Sequence, residues 1–474
     1  MKTAAAIDRL DYLSARALGR AIADKKISSV EATEAAIQRL DEAHKLTHCI
    51  IAREADEALA AARIVDAAIA KGQKIGPLAG VPLAHKDMFD RAGKIASWGA
   101  KIRAEKPATR DATVIERFKS AGALQIAALH LTEFAFGPTG HNYVLGHARN
   151  PWDPTRITGG SSAGTACAVA YGAIPAGLGS DTAGSLRLPA ANCGIASIKP
   201  TWGRVSRAGA MPLAACLDVL GVIARHVEDL ALMLQILAGP DLRDSSAFGV
   251  AVPDYLATLD APVTGLRVGL DEKVAGEGHG DVQAMVTAVL GVLGKAGLVK
   301  TECRFPDWTL LDHAAQAMQL PDAAAAHAHY LTTRPDDYGP QVRARLEVGH
   351  FISGVDHMTA LRARGMLLQR TLDETFGTCD VAILPITADP LPTIAELDVA
   401  GSPAVQTTMA RVVKFCRPIS FLGLPTLTLP IPRSSKQMPG GVQIIGRPFS
   451  EPLLLRIGQA YQKLVPPEIA RPVV

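Results

Sequence analysis

Apolar residues recur at three- to four-residue spacing through most of residues 1–75, which predicts a helical N-terminal region. Ser28-Ser29-Val30-Glu31 opens the clearest of these helices, because the Ser28 hydroxyl and the Glu31 carboxylate can each satisfy the other's free backbone donor. The stretch EATEAAIQRLDEAH continues the pattern, and an Ala-rich helix is expected over residues 54–70, ending at Gly72. Beyond it the texture changes. Short apolar runs such as residues 80–84 alternate with helical stretches such as 112–121, a pattern that favours an α/β sheet. Further helices are predicted over 227–237, 281–295 and from about 451 to 464, with strands over 265–270, 380–385 and 441–446. Residues 240–262 read as a surface excursion. No composition break marks a linker, so one domain is expected over 1–474.

Residues 158–204 are rich in Gly, Ser, Ala and Pro, yet apolar residues recur among them. A linker that hydrophobic would not stay solvated. The expectation is tightly folded loops in which backbone approaches backbone or ligand closely.

Composition narrows the functional classes. Of 474 residues 48% are hydrophobic, enough for a sizeable core. Formal charge is +3 with no long basic block, and aromatic content is 5%, so neither a phosphate-binding surface nor a base-stacking one is expected. Seven dispersed cysteines without a C-x-x-C pair read as reduced thiols of a cytoplasmic protein. No H-E-x-x-H spacing suggests a metal. The N-terminus lacks the apolar core of a signal peptide, and no apolar run reaches the ~18 residues of a membrane span.

Three segments carry candidate chemistry. In Gly159-Gly160-Ser161-Ser162-Ala163-Gly164 two serines precede an apolar helix, where backbone amides favour developing negative charge. This string also fits a G-x-S-x-G nucleophile elbow centred on Ser162, but the elbow needs an apolar strand before it. Residues 152–158 are polar and interrupted by proline. In Thr182-Ala183-Gly184-Ser185, consecutive amides of a small-residue turn can form an oxyanion hole beside a serine hydroxyl. Asp181 and Arg187 read as loop-pinning rather than catalytic. Lastly, Lys86 ends an apolar strand, and a lysine there serves as a base only if desolvation favours its neutral amine.

Together these segments resemble the amidase signature family in both residue type and spacing. There a lysine follows G-V/I-P-x-x-x, a GGSS[GA]G motif supplies a bridging serine, and a D-T-x-G-S-[IL]-R-x-P motif holds the nucleophile 24 residues later. Here 185 − 161 = 24. The resemblance extends to residues 131–137, 149–153, 199–206, 423–425 and 441–446. Ala163 and Ala183 stand where glycine is commoner. The resemblance implies an α/β amidase signature fold, a large twisted mixed sheet surrounded by helices, with a helical part at about 1–75, the signature core at about 76–240 and a substrate-pocket part at about 263–474. It implies Lys86 as base, Ser161 (normally preceded by a cis peptide) as relay and Ser185 as nucleophile. The amides of Thr182, Ala183, Gly184 and Ser185 would bind the oxyanion, and Met88, Phe134, Ala135, Phe136 and Gly160 would line the substrate site. No metal or organic cofactor is implied.

The expected activity is cleavage of neutral small-molecule amides, anilides or carbamates (urethanes), and of esters by the same chemistry, by a monomer or homodimer without nucleic acid or membrane. The alternative is the A-type component of glutamyl-tRNA amidotransferase, a glutaminase. Its pocket uses an arginine, which Arg345 could match, and an aspartate twelve residues before the proline of G-L-P. That position here is Val413, since 425 − 12 = 413. A non-catalytic partner protein is the third reading, and the presence of both serines and the lysine speaks against it.

Overall fold

The computed structural model describes residues 10–470 apart from 74, 104 and 434–436. Its centre is one sheet of eleven strands: β1 (Ile50–Arg53), β2 (Pro82–Lys86), β3 (Leu124–Leu129), β4 (Ala176–Asp181), β5 (Ala196–Lys199), β6 (Val219–Ala224), β7 (Arg267–Leu270), β8 (Val299–Glu302), β9 (Val381–Pro385), β10 (Thr426–Pro430) and β11 (Gly441–Ile445). They lie in the order β1-β3-β2-β4-β6-β5-β10-β11-β9-β7-β8, so strands from both ends of the chain share one sheet. β2, β3, β4, β5, β6, β9 and β11 are buried at every position. Such burial explains why they read as continuous apolar or small-residue runs rather than as alternating ones.

β2 runs parallel to both β3 and β4, with Ala84 opposite Gly177 and His85 opposite Leu178. This register brings the ends of β2 and β4 together, so Lys86 emerges beside the segment that leads to Ser185. Small residues allow the helix Ala163–Ala170 to seat directly against this edge. A Cβ on Gly164 would lie 2.4 Å from the His130 amide nitrogen, and one on Gly179 would lie 2.8 Å from Ser162 Oγ.

Several expectations match the observed elements. Ser28 caps the helix Ser29–Thr47 with both halves of the capping box formed, and the helices Val227–Leu237 and Glu451–Leu464 have the expected bounds. Others need correction. β2 begins at Pro82 rather than at residue 80, which makes Lys86 its last residue. The N-terminal region, whose residues 1–9 and 74 fall outside the described ones, is helical except for β1, which pairs antiparallel with the C-terminal half of β3. Residues 158–204 are chiefly regular structure, holding the helices Ala163–Ala170 and Arg187–Asn192 as well as β4 and β5. Ala and Gly there serve the expected close approach of backbone, but within helices and strands as much as in loops. The long helices Trp308–Thr333 and Gly354–Glu374 had no counterpart in the expectations, because alanines and scattered apolar residues blur their stripe.

Candidate active site

The Lys86 side chain is fully buried and its Nζ donates to Ser161 Oγ at 2.7 Å and to Ser180 Oγ at 2.8 Å. Burial pulls the amine down to about 7, against the opposing pull of Asp218 and Asp181. A lysine so placed is partly neutral at physiological pH. The Gly160–Ser161 peptide is cis. Around it, Gly160 N donates to Pro138 O at 2.8 Å and Thr132 N donates to Ser161 O at 3.2 Å, so residues 132–138 wrap the serine pair. Ser180 did not stand out in the sequence. Only the parallel register of β2 and β4 brings it to the lysine.

Ser185 follows the turn at the end of β4 and is 8% exposed, whereas Lys86 and Ser161 are 0% exposed. Of the three, Ser185 alone is open to a ligand. Its carbonyl accepts from Ser162 N at 3.3 Å, which ties the turn to the Ser161-Ser162 segment. Ser162 itself is fully buried, with its Oγ donating to Ser180 O at 3.3 Å. That hydroxyl braces the helix start against β4 and is closed to substrate, which removes the elbow reading.

The turn is held by carboxylates. Asp181 Oδ1 accepts from Gly184 N at 2.8 Å and Oδ2 from Leu186 N at 3.1 Å, while Arg187 spans both oxygens at 2.9 and 3.0 Å. Burial alone would raise Asp181, but the Arg187 charge and these hydrogen bonds bring it down to about 2. The four amides expected at the oxyanion are not equivalent in this turn. Gly184 N–H is committed to Asp181, and the amides of Thr182, Ala183 and Ser185 donate to no protein group among the described residues. Gly184 has φ +127°, and a Cβ there would meet Leu188 Cδ1 at 2.9 Å and Cys416 Cβ at 3.0 Å, so only glycine fits. Thr182 Oγ1 donates to Asp218 at 2.6 Å, and Asp218 also accepts from Leu213 N at 2.9 Å. Burial pushes Asp218 up to about 6 despite these donors.

The fully buried Asp181–Arg187 pair gives a stability prediction. Arg187→Met is expected to destabilise the protein by about 3–5 kcal/mol, since it leaves a buried carboxylate unpaired. Urea unfolding would measure this. Asp181 lies below its unfolded value of ~3.9, so its contribution is complete above that pH and is lost as pH falls towards 2. A midpoint unchanged by Arg187→Met at pH 7 would show the pair to be inconsequential.

The expected pocket residues are placed less uniformly. Met88 lines a cavity of about 220 Å³ that also reaches Ser180 and Asp218. Phe134 and Ala135 take left-handed backbone angles, φ +50° and +57°, and the Phe134 ring packs edge-on against His327 with centroids 4.5 Å apart. Glu133, pushed up to about 7 by burial, accepts from Gly339 N at 2.9 Å and fastens this segment to the helix Pro340–Val348. From that helix the buried Arg345 stacks 3.9 Å over the Phe136 ring and donates to Phe136 O at 2.9 Å. Among the described residues no carboxylate pairs with Arg345. Thr132 Oγ1 and Gln341 Nε2, also buried, have no protein partner in the same neighbourhood. Neither was expected from sequence. A Cβ on Gly160 would lie 2.7 Å from Thr132 Oγ1, which accounts for the glycine before Ser161. Val413 sits in an apolar cluster with Leu188, Ala191, Ile386 and Cys416, two of which pack on Gly184.

The Amidase family model matches residues 31–455. The chain belongs to the amidase signature family. Like other members it is an enzyme fold for cleaving carbon–nitrogen bonds, here built on the mixed eleven-stranded sheet with its surrounding helices. The chain is 36% identical to the A-type component of the glutamyl-tRNA(Gln) amidotransferase of Moorella thermoacetica, over 96% of this chain and 97% of the relative. Among solved structures it superposes at TM-score 0.88 and 31% identity on a chain from a vestigial protein complex described in connection with the origins of an s-triazine catabolic enzyme, covering 97% and 100%. It superposes at TM-score 0.84 and 28% identity on an amidase crystal structure, covering 95% and 100%. These relatives support the amidotransferase A-type expectation more than the free-standing one, while the structural neighbours include both. Among the described residues no helix of this amidase is long and apolar enough to cross a membrane, and no group of three or more His, Cys, Asp or Glu is placed to hold a metal ion.

Proposed function

We propose that the chain hydrolyses the C–N bond of uncharged amides, anilides and carbamates through an acyl-enzyme on Ser185. The observation that carries this reading is the Lys86 amine, buried, lowered to about 7 and 2.7 Å from Ser161 Oγ. In its neutral form Lys86 donates N–H to Ser180 and turns its lone pair to Ser161. Ser161 then gives its proton to the amine and takes one from Ser185 as that oxygen attacks the carbonyl carbon. A hydroxyl suits this relay because it donates and accepts at once. The amides of Thr182, Ala183 and Ser185 face the developing oxyanion, and Asp218 holds Thr182 in place. The C–N bond then breaks as the relay returns a proton to the departing nitrogen. Water, deprotonated along the same route, releases the acid.

The apolar surround of Val413 supports a substrate without an ammonium group beside the scissile bond. A second reading has its own support. The likeness to A-type amidotransferase components, together with the unpaired Arg345, suits a glutaminase that passes ammonia to a partner. The purified chain assayed alone distinguishes them, using 4-nitroanilides, phenyl carbamates and esters beside glutamine. Release of 4-nitroaniline with glutamine untouched is expected. Glutamine turnover with no anilide or carbamate cleavage would overturn the first reading in favour of the second.

A further inference from the structure

Residues 132–138 surround the Gly160–Ser161 peptide, and two of them hold a conformation that residues with a side chain rarely adopt. Phe134 and Ala135 stand consecutively at φ +50° and +57°. Such a segment keeps its shape only where its surroundings impose it. Some anchors are near in sequence: Phe134 N donates to Trp98 O at 2.8 Å and Phe136 N to Glu133 O at 3.0 Å. Others come from the helix Trp308–Thr333 and the loop 334–339 that follows it. The Phe134 ring packs on His327 and Tyr338, with centroids 4.5 and 5.3 Å away, and His327 Nδ1 and the Tyr338 hydroxyl share a hydrogen bond of 3.0 Å. Gly339 N donates to both Glu133 oxygens, at 3.1 and 2.9 Å. A Cβ at residue 339 would lie 2.6 Å from Glu133 Oε2, so glycine is what lets the carboxyl seat on this loop.

The charge at this contact is uncompensated. Glu133 is 1% exposed, and among the described residues no cation pairs with it. Burial pushes its carboxyl up to about 7, and the Gly339 hydrogen bond and the charge of Lys101 oppose this without cancelling it. From the other side it faces Tyr338, which burial keeps a neutral phenol, and beyond that His327, which burial brings down to about 4. Arg345 is turned to Phe136, and Arg334 is paired with Asp337. An ionised Glu133 is thus an enclosed carboxylate without a counter-ion, a state that desolvation disfavours. Opened to water it would titrate near ~4.3. Between that value and about 7 the closed contact holds a proton that the open one has released. Closure is therefore strongest at acid pH, weakens as pH rises and is weakest above 7.

We propose that Glu133 is a positioning residue that acts as a proton-controlled clasp: neutral, it fastens the loop 334–339 to the strained segment and keeps the wall beside Ser161 in shape for substrate, and ionised, it lets that wall loosen. The proposal rests on the Ser185 hydrolase reading and names a regulation of its site. The clasp acts on binding. Ser161 is held separately by Lys86 Nζ and Thr132 N, so the chemical step keeps the pH dependence that Lys86 gives it.

The test is hydrogen exchange of the 334–339 amides between pH 5 and 8, corrected for intrinsic rates, beside KM for a 4-nitroanilide. In the wild type the protection factor is expected to fall about tenfold per pH unit towards 7 and to level off above it, with KM rising in the same range. Glu133→Gln keeps an acceptor for Gly339 N and cannot ionise. It is expected to hold protection about 100-fold above the wild type at pH 8 and to lower KM there. Glu133→Ala loses the acceptor and is expected to loosen the loop at every pH. A carboxylate that merely braces the fold would make both variants looser. Wild-type protection that ignores pH, or Glu133→Gln as loose as Glu133→Ala, overturns the proposal, and so does a KM that stays constant while protection moves. Exchange is read without turnover. Absent turnover with no fluorophosphonate labelling of Ser185 therefore overturns the hydrolase reading, while the exchange data still decide the clasp.

Discussion

Ser185→Ala is expected to lower kcat for a 4-nitroanilide by at least about 10,000-fold and to abolish labelling by a fluorophosphonate probe. The nucleophile's oxygen forms the acyl bond, so no neighbouring group replaces it, and what remains is the modest acceleration given by binding and the oxyanion amides. The control is Ser162→Ala. That hydroxyl donates to Ser180 O and accepts from Ser180 N, both at long distance, and its loss is expected to cost about 1–2 kcal/mol of stability and less than tenfold in rate. Steady-state kinetics and intact-protein mass after labelling read both variants. Labelling that survives in Ser185→Ala and disappears in Ser162→Ala would restore the elbow reading of the GGSSAG segment.

The second large effect concerns pH. Lys86 must be neutral to accept a proton, and it sits near 7 because burial disfavours its charge. The rate of acylation is therefore expected to climb about tenfold per pH unit below 7 and to level off above it. Lys86→Ala should lose far more activity at neutral than at alkaline pH, where hydroxide does part of the work. Equal loss at every pH would remove Lys86 as the base. The same burial has a stability consequence of fixed sign. The folded-state value lies below the unfolded ~10.4, so the folded protein holds fewer protons between the two. The resulting destabilisation is absent above about pH 10 and complete below 7. Lys86→Met is thus expected to raise the urea midpoint at pH 7 while turnover disappears, a pairing that a merely structural lysine would not give.

Much of this was legible in the chain because the residues concerned are local in sequence. The Ser28 capping box and the helices at 227–237 and 451–464 depend on spacing and end signals carried within each segment. So does the small-residue turn at 182–185, whose glycine is required by its own backbone angle. The missed features share a different origin. Ser180 reaches Lys86 only through the β2–β4 register, and Asp218 reaches Thr182 across 36 residues. Thr132 and Gln341 come together beside Gly137 although far apart in sequence, and neither has a motif of its own. The long helices at 308–333 and 354–374 escaped because their apolar positions do not form one clean stripe.

By itself the sequence determined the α/β class, the family and which lysine and serines are candidates for the chemistry, since these follow from periodicity and from motifs of fixed spacing. Tertiary structure decided what state those groups are in. Burial of Lys86 sets its proton affinity, Asp181 engages the Gly184 amide, and Ser162 is enclosed while Ser185 stays partly exposed. Each outcome depends on what surrounds an atom in space, and desolvation and hydrogen-bond partnership are properties of the packed chain that no run of residues encodes locally.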